Sequence, residues 1–437
     1  MLSSQDKRAV RELRRKSTSQ PQAVASKPVI GLFGRLGSGN IGNDATLEAV
    51  LAYLGSHYPG ALLDCMCSGP DRIRERYHVA AIQLHWFDRD VRPRNRWMRL
   101  AAAGVGVGLG LFVDAWRTAS WVRRHHVVIV PGMGVLESTL AQRPWQLPYS
   151  MFLLSLFGRL FRTRVALLCV GVSDMPRGPT RWLLTAAANG ASYRSFRDIY
   201  SLEEARRLGI SGSRDEVYPD LVFSLPDPVC IPAKGRHVGV GVMDYSGASS
   251  DSKVAERIQS DYVDTMVQFT RWLVDTGHEV RLLIGDGDDE SVANTVLDDV
   301  RSRWVRPGPP PIAYQPISTI RDLTDQVAPL DAVVATRYHN VLVALKCCKP
   351  TLCIGYAKKH HALMTEAGQE QFNHHIDDLD VDQLKETFLQ LSANSAQISA
   401  TLDHHKDISR VRLDEQFDRL TEVLTAAFDQ RPVGESR

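Results

Sequence analysis

The sequence predicts an α/β protein with two Rossmann-like domains that face a cleft, followed by a C-terminal helical tail. Short, continuously apolar runs alternate with helical stretches, which is typical of a parallel sheet covered by helices on both faces. The alternation stops at the proline-rich segment 225–236 and then begins again. At 437 residues the chain is also too long for one ordinary core.

Residues 1–26 precede the first predicted strand and read as a disordered basic tail. They are polar, and we expect no signal peptide there because they contain no apolar core segment. A second interpretation is a contact between this tail and anionic lipid. The basic residues concerned are Lys7, Arg8, Arg11, Arg14, Arg15 and Lys16.

The first Rossmann-like domain is predicted over residues 27–228. "KPVIGLFG" reads as its first strand, and a glycine loop and a helix from about Asp44 to Ser56 follow. "ALLDCMC", "HVVIVPG" and "RVALLCVGV" read as further buried strands. The apolar run "LAAAGVGVGLGLFV" at 100–113 is short and glycine-rich for a membrane span. We expect it to form a buried hairpin or loop, or a surface that touches an acceptor or a membrane.

The second domain is predicted over residues 236–380, and the helical tail over 381–437. "HVGVGVM", "EVRLLIGDG", "DAVVAT" and "TLCIGY" read as its strands. The segment "AERIQSDYVDTMVQFTRWLVDTG" carries apolar residues at helical spacing and stops at Gly277, a common helix C-terminal signal.

The composition excludes some functions. Lys and Arg number 52 against 50 Asp and Glu, so no global basic field draws the molecule onto nucleic acid. The seven cysteines are odd in number and have neither a zinc spacing nor a disulfide framework. We therefore expect a reducing, cytoplasmic compartment.

The loop after the first strand, "GRLGSGNIGNDATL", formally matches a dinucleotide-binding fingerprint. Gly37, Gly39 and Gly42 have G-x-G-x-x-G spacing, and Asp64 follows Gly42 by 22 residues. Glycines let the loop approach a ligand closely, and the helix start offers free N–H groups to an anion or polar group. A purely structural alternative is a flexible loop before a helix capped by Asn43 or Asp44.

Two other segments lie at predicted strand ends. "VIVPGMGVLES" places Gly132 and Gly134 in a second close-approach loop on the same sheet edge. "YRSFRDIYSLEEARRLGI" places Arg197 before Ser201, which reads as a helix N-cap completed by a capping box with Glu204. Arg197 is a candidate anion ligand, or it pairs with a neighbouring carboxylate.

The most informative stretch is "DAVVATRYHNVLVALKCC". An apolar strand ends at Thr336 and presents Arg337 and His339, although turn chemistry would favour Gly, Asn or Asp. Because "DAVVAT" and "TLCIGY" are consecutive strands, they should be parallel neighbours with their carboxyl ends on one edge. Arg337 and His339 should then lie beside Lys358 and Lys359. Converging cations repel unless an anion sits among them, so we predict an anion site.

The acidic segment "IGDGDDE" at 284–290 follows a predicted strand and enters a helix. A metal site is one interpretation, but acidic residues at a helix start also stabilise its dipole, and we favour that reading. No metal site is predicted.

These segments together resemble the polysaccharide pyruvyl transferase family. The resemblance covers residues 27 to about 368 and rests on "GSGNIGNDATL", "VPGMG", "FRDIYSLEEARRLGI", "YPDLVFSL" and "TRYHNVLVALKCCKPTLCIGYAKK". It implies a fold similar to GT-B glycosyltransferases. It also implies transfer of pyruvate from phosphoenolpyruvate, as a ketal, to two hydroxyls of a polysaccharide or glycolipid.

The resemblance also implies roles for individual residues. The family's arginine falls on Arg197, its Arg-Leu-His motif on Arg337-Tyr338-His339, and its lysine on Lys359 or the adjacent Lys358. We predict that His339 is the acid or base and that Arg197, Arg337 and Lys359 hold the donor, with no cofactor. The glycine loops would shape the acceptor side through Gly37, Gly39, Asn40, Gly42, Asp44, Gly132 and Gly134. Asn43 and Ala357 stand where the family has acidic residues.

Three alternatives remain open at this stage. A GT-B glycosyltransferase would use the same cations to bind a nucleotide-sugar donor. A nicotinamide oxidoreductase would use the glycine fingerprint and Asp64. A non-catalytic anion-binding scaffold on the same fold would account for Asn43 and Ala357.

Overall fold

The computed structural model describes residues 27–86, 96–137, 143–212, 215–228, 236–247 and 252–430. The predicted basic tail, residues 1–26, and residues 229–235 of the predicted linker lie outside these ranges. Within them the chain forms two parallel sheets with flanking helices, which confirms the predicted α/β class.

The first sheet has seven parallel strands in the order β3-β2-β1-β4-β5-β6-β7. The order reverses direction after β1, which is a topological switch point, and ligands bind such sheets at the carboxyl ends of the strands. The strands are β1 Val29–Gly34, β2 Leu62–Cys67, β3 Ala80–Gln83, β4 Val127–Pro131, β5 Arg164–Val170, β6 Tyr193–Phe196 and β7 Glu216–Val217.

Among the described residues six helices connect these strands, and right-handed crossovers put the first two on one face of the sheet and the other four on the opposite face. They are α1 Ile41–His57, α2 Pro70–Tyr77, α3 Arg96–Val122, α4 Leu147–Phe161, α5 Pro179–Gly190 and α6 Ile199–Arg207. The core beneath them consists of buried strand residues such as Leu32, Ile129 and Leu167.

The segment 100–113 is helical, so the predicted hairpin or loop is wrong. It lies inside α3, which runs for 27 residues. A continuous helix satisfies every backbone group within the segment, and its apolar pattern continues to Trp121, which is fully buried. Within the described ranges, no helix combines the length and apolarity that a bilayer crossing needs.

The second sheet has six parallel strands in the order β10-β9-β8-β11-β12-β13. β11 pairs with β12 in parallel, with Val334 opposite Leu352, which confirms the predicted neighbourhood of the two strand ends. The strands are β8 His237–Gly241, β9 Glu279–Leu283, β10 Ile312–Tyr314, β11 Ala332–Ala335, β12 Thr351–Gly355 and β13 Asn373–His375.

The helices of this half are α7 Ser252–Asp275, α8 Glu290–Ser302, α9 Ile320–Val327, α10 Tyr338–Lys346 and α11 Lys358–Glu366. The helical tail is α12 Val381–Ala393 and α13 Ser395–Gln430. α13 returns to the first domain, where the ring of Phe417 stacks on Tyr53 at 4.5 Å and Gln416 Nε2 donates to Tyr193 Oη at 3.0 Å. The tail therefore joins the two halves.

Two helices begin earlier than predicted. Asn40 caps α1, accepting from the backbone N–H groups of Gly42 and Asn43, so neither Asn43 nor Asp44 is the cap. Asp198 caps α6 by accepting from Ser201 N at 2.6 Å, so Ser201 lies inside the helix. An Asn or Asp side chain can cap a helix as well as Ser can, and sequence alone does not separate adjacent candidates.

Candidate active site

The carboxyl ends of the two sheets meet at a cluster of charged side chains. The first sheet contributes Glu137, from the segment after β4, and Arg197, from the end of β6. The second sheet contributes His339, in the first turn of α10, and Lys359, in the first turn of α11. Crossover connections bring strand ends far apart in sequence onto one edge, and the facing edges assemble the cluster.

Glu137 bridges the two domains at the centre of this cluster. Its carboxylate accepts from Arg197 Nη2 through Oε1 and from Lys359 Nζ through Oε2 at 3.1 Å. The Glu137 side chain is 8% exposed. Burial opposes its charge, but the nearby Lys359 and Arg197 outweigh burial and lower the pKa of Glu137 to about 2. The site therefore holds one carboxylate between two cations.

Arg197 is buried, and carboxylates keep it charged. Its Nε lies 3.3 Å from Asp198 Oδ2, and its guanidinium lies 4.7 Å from the centre of the Tyr338 ring. Burial works against the positive charge, but Glu137 more than offsets it, so the pKa of Arg197 is raised. Lys359 Nζ lies 5.6 Å from the centre of the same Tyr338 ring. Both cations therefore lie near the Tyr338 ring.

His339 lies against the first turn of α1. A Cβ on Gly42 would overlap the imidazole ring, so the ring occupies the space that glycine leaves open. Burial, with Arg197 and Lys359 nearby, lowers the pKa of His339 to about 3. The positive end of the α1 dipole also disfavours a charged imidazole. His339 is therefore neutral at physiological pH and can accept a proton.

The first glycine loop is built around a buried carboxylate. Asp44 Oδ1 accepts from Gly37 N at 2.7 Å, and burial raises the pKa of Asp44. Gly37 has φ of 68° and packs on the backbone of Gly69, which leaves no room for a side chain. Gly39, with φ of 97°, lies beside Arg72. The loop leads directly to Gly42, against which His339 lies.

The second glycine loop reaches the same cluster. Gly132 packs on Thr46 of α1, whose hydroxyl donates to Pro131 O at 2.9 Å. A Cβ on Gly134 would overlap the carboxylate of Glu137, and one on Gly171 would meet both Glu137 and Arg197. Glycines after two strands, Gly134 after β4 and Gly171 after β5, therefore make room for the ion pairs.

Arg337 does not join this cluster. Its guanidinium is paired with Asp289, with Nε 2.9 Å from Oδ2 and Nη2 contacting Oδ1. Asp289 is fully buried and also accepts from the backbone N–H groups of Asp244, Gly285 and Asp286. Arg337 is therefore not found among the converging cations, where the sequence predicted it. Two nitrogens of its guanidinium already bond to the buried carboxylate of Asp289.

Lys358 and Asp64 also lie elsewhere. Lys358 is exposed, and its Nζ lies 5.3 Å from the centre of the Tyr200 ring. Asp64 lies in the first half of β2 and accepts from Trp121 Nε1 at 2.9 Å. A ribose-binding carboxylate belongs at the carboxyl end of its strand, so the dinucleotide interpretation loses its acidic residue.

Within the described ranges, no group of three or more His, Cys, Asp or Glu side chains could hold a metal ion. Asp289, from the acidic segment 284–290, is committed to Arg337 and to loop N–H groups.

Sequence reasoning missed Glu137, Gly171 and Tyr338 as members of the cluster. Glu137 was visible only as an acidic residue three positions after Gly134, and Gly171 only as a glycine following a predicted strand. These residues follow strands that are far apart in the sequence, and nothing in the sequence indicated that the fold brings them into contact.

The family model for polysaccharide pyruvyl transferase matches residues 40–358. This chain belongs to that family. The match extends from the α1 cap Asn40 to Lys358, and so includes Glu137, Arg197 and His339. The protein is therefore a member of a transferase family. No curated protein matches this sequence.

Solved structures show that this family member has a GT-B-like fold. A glycosyltransferase from Rickettsia africae aligns with TM-score 0.54 at 11% identity, over 92% of this chain and 99% of that one. A putative UDP-N-acetylglucosamine 2-epimerase from Listeria monocytogenes aligns with TM-score 0.53 at 10% identity, over 86% and 91% of the two chains. The UDP-GlcNAc 2-epimerase from Neisseria meningitidis gives 0.53 at 10% identity, over 90% and 100%. At such identities the likeness concerns the fold alone.

Proposed function

We propose that this protein transfers a pyruvyl group from phosphoenolpyruvate to two hydroxyls of a polysaccharide or glycolipid sugar, forming a pyruvate ketal. The observation that carries the proposal is the carboxylate of Glu137, held between Arg197 and Lys359 beside a neutral His339. Two cations from facing domains already bind one carboxylate here. A small donor with a carboxylate and a phosphate suits such a site.

The donor would bind by taking over the cations that Glu137 holds. Arg197 offers a planar fork for the phosphate or the carboxylate, and Lys359 offers a mobile point charge. The two cations contact different oxygens of Glu137, so they could contact different anionic groups of one donor. Arg337 is assigned a positioning role, because its pairing with Asp289 fixes the turn that carries His339. Lys358 is exposed and precedes Lys359 in the chain, so its charge would attract the donor over a longer range.

His339 would move the proton. The first sugar hydroxyl adds across the C2=C3 double bond of the donor: its oxygen bonds to C2 and its proton passes to the neutral imidazole. The imidazolium then delivers this proton to C3, which becomes a methyl group as the double bond is lost. The second hydroxyl then attacks C2, the C2–O bond to phosphate breaks, and hydrogen phosphate leaves with the second hydroxyl proton. Two protons leave the diol, and one ends on C3 and one on phosphate. Arg197 and Lys359 stabilise the charge on the departing phosphate.

The scheme uses phosphoenolpyruvate as a co-substrate and requires no cofactor. The acceptor would enter past the glycine loops, where Gly39 and Asn40 precede α1. We assign the reaction to the cytoplasm, at the inner face of the membrane, where glycans of this kind would be modified during exopolysaccharide biosynthesis. Most cysteines among the described residues are buried, and the seven cysteines of the sequence have no disulfide-framework spacing, which suits a reducing compartment.

The direct test combines ligand binding with turnover. Phosphoenolpyruvate should raise the melting temperature, UDP and GDP should not, and phosphate should be released only when a suitable glycan is added. Stabilisation by UDP or GDP alone would favour a nucleotide-sugar glycosyltransferase, for which the fold is equally suited. Binding of phosphoenolpyruvate without phosphate release on any of a broad glycan panel would favour the anion-binding scaffold.

A further inference from the structure

The outer side of α3, α4 and α5 exposes an unusual group of apolar side chains. The three helices lie side by side: Tyr149 Oη donates to Leu111 O at 3.2 Å, and the rings of Phe152 and Trp182 are 5.3 Å apart. They cover a face of the first sheet, whereas the charged cluster lies at its edge. The exposed residues, here called the α3–α5 face, are Leu109, Phe112, Trp116, Leu156, Leu160 and Trp182.

These six are a large share of the fourteen exposed large apolar side chains among the described residues. Phe112 is 73% exposed, Trp116 67% and Trp182 62%. Phe112 and Trp116 lie one turn apart on α3, as do Leu156 and Leu160 on α4, so each helix presents an apolar stripe. Single exposed apolar residues are ordinary, but a contiguous patch indicates an interaction surface.

The same helices and their flanking loops are strongly basic. Ranges 108–126, 143–164 and 171–190 contain nine arginines and two acidic residues, Asp114, which is buried, and Asp174. The whole chain carries a net charge of only +2. The arginines are Arg117, Arg123, Arg124, Arg143, Arg159, Arg162, Arg164, Arg177 and Arg181. Positive charge is therefore concentrated around the α3–α5 face.

Two open cavities beside this face are lined by arginine. One, of about 340 Å³, is bounded by Arg177, Arg181 and Trp182. The other, of about 410 Å³, is bounded by Arg159, Arg162 and Arg164. Guanidinium groups pair with phosphate oxygens in a bidentate manner, so each cavity offers phosphate-binding chemistry next to an apolar surface.

We propose that the α3–α5 face docks on the surface of an anionic lipid bilayer. The tryptophan, phenylalanine and leucine side chains would enter the headgroup region, and the arginines would contact lipid phosphates. Docking of a second copy through the same face would bring like-charged arginines together, with Asp174 as the only exposed acidic residue of these ranges. The charge pattern therefore favours an anionic membrane over self-association. This proposal does not rest on the pyruvyl transfer reaction.

Vesicle co-sedimentation of the full chain tests the proposal. The protein should bind vesicles of phosphatidylcholine with phosphatidylglycerol, bind pure phosphatidylcholine vesicles much less, and dissociate as salt is raised. The double variant Phe112→Ser with Trp116→Ser should weaken binding by about tenfold, because two interfacial anchors are lost. Arg159→Glu with Arg162→Glu should weaken it about as much, because two attractive charges become repulsive.

Matched controls keep the test interpretable. Ile408→Ser with Val411→Ser removes exposed apolar side chains from α13, and Arg301→Glu with Arg321→Glu reverses exposed charges in the second domain. Both should bind vesicles like the wild type, and thermal melts should show all variants folded.

The proposal is overturned if the wild type binds no vesicles, or binds both compositions equally. It is also overturned if the face variants bind normally, which would assign binding to another segment such as residues 1–26. Conversion of a dimer to a monomer by these variants, with vesicle binding unchanged, would identify the face as a self-association surface instead.

Discussion

Glu137 is the residue that defines the resting state of the site. It accepts from Arg197 and Lys359, which come from different sheets, and carries a negative charge where the donor's anionic groups would bind. The donor and this carboxylate would compete for the same two cations. Like charges in one site repel, so Glu137 should lower the affinity of the site for an anion. When no anion is bound, its negative charge keeps Arg197 and Lys359 from repelling each other.

We therefore expect Glu137→Gln to bind phosphoenolpyruvate about tenfold more tightly, because the competing charge is gone while Arg197 and Lys359 remain. Titration calorimetry at low salt measures the dissociation constant. Glu203→Gln, an exposed carboxylate on α6, serves as the control and should bind like the wild type. A weaker affinity in Glu137→Gln would mean that the carboxylate helps to build the donor site and does not compete with it.

His339 should respond to the donor through its protonation. In the free protein the pKa of His339 is about 3, because burial and two cations oppose its charge. A bound donor neutralises those cations, so the pKa of His339 should rise on binding. NMR of the imidazole nitrogens at about pH 5 should show a neutral ring in the free protein and protonation on adding phosphoenolpyruvate. A ring already protonated before the donor is added would contradict this account.

Replacing the imidazole tests its catalytic role. His339→Gln should lower the rate of phosphate release by roughly 10²–10⁴-fold, the usual contribution of a general acid–base group. Thermal stabilisation by phosphoenolpyruvate should remain, since Arg197 and Lys359 are intact. His361→Gln removes an exposed imidazole from α11 and should leave the rate unchanged. Equal rates in both variants would remove His339 from the mechanism.

At the scale of elements, the start of α1 is the place where the first domain contacts His339 of the second domain. Asn40 caps the helix, and the glycine at its second position leaves space for a ring from the facing domain. Glycine at this position does not stabilise the helix, since glycine is a poor helix former. Its missing side chain instead allows His339 to approach the helix.

We expect Gly42→Ala to abolish phosphate release while the protein stays folded, because the new methyl group overlaps the His339 imidazole and must displace it. Gly55→Ala is the matched control in the same helix, since a Cβ there meets nothing within 4 Å. It should keep full activity and gain about 0.5–1 kcal/mol of unfolding free energy from helix propensity. Full activity in Gly42→Ala would show that the reaction does not need His339 at this position against α1.

At the scale of the whole molecule, α13 holds the two halves together. It starts beside the second domain and packs its apolar side onto the first, where Phe417 stacks on Tyr53. Leu413, Leu420 and Leu424 are buried along this helix. Because the site needs Arg197 from one half and Lys359 from the other, the geometry of the site depends on this clamp.

Leu420→Ala should lower the free energy of unfolding by about 2–5 kcal/mol, because it removes a fully buried side chain and leaves a cavity. Val411→Ala on the same helix removes a side chain that is 60% exposed and should change stability by no more than about 0.5 kcal/mol. Urea unfolding monitored by circular dichroism measures both. Similar small effects in the two variants would mean that α13 contributes little to holding the domains.

The sequence was most informative where the chemistry is local. Apolar runs located β1, β4, β5, β11 and β12 within a residue or two, because buried parallel strands need continuous apolar residues. It was misleading at 100–113, where glycines suggested a loop but the backbone forms a helix. It also misplaced the caps of α1 and α6, because several neighbouring polar residues can serve as the cap.

The sequence by itself determined the alternation of strands and helices and the presence of Arg197, His339 and Lys359 at strand ends, because strand burial and turn chemistry act over a few residues. Only the tertiary structure decided which partners those side chains have. It paired Arg337 with Asp289, and it brought Glu137 between Arg197 and Lys359. Charges interact through space, and the order of strands in a sheet, which short-range patterns do not encode, decides which of them meet.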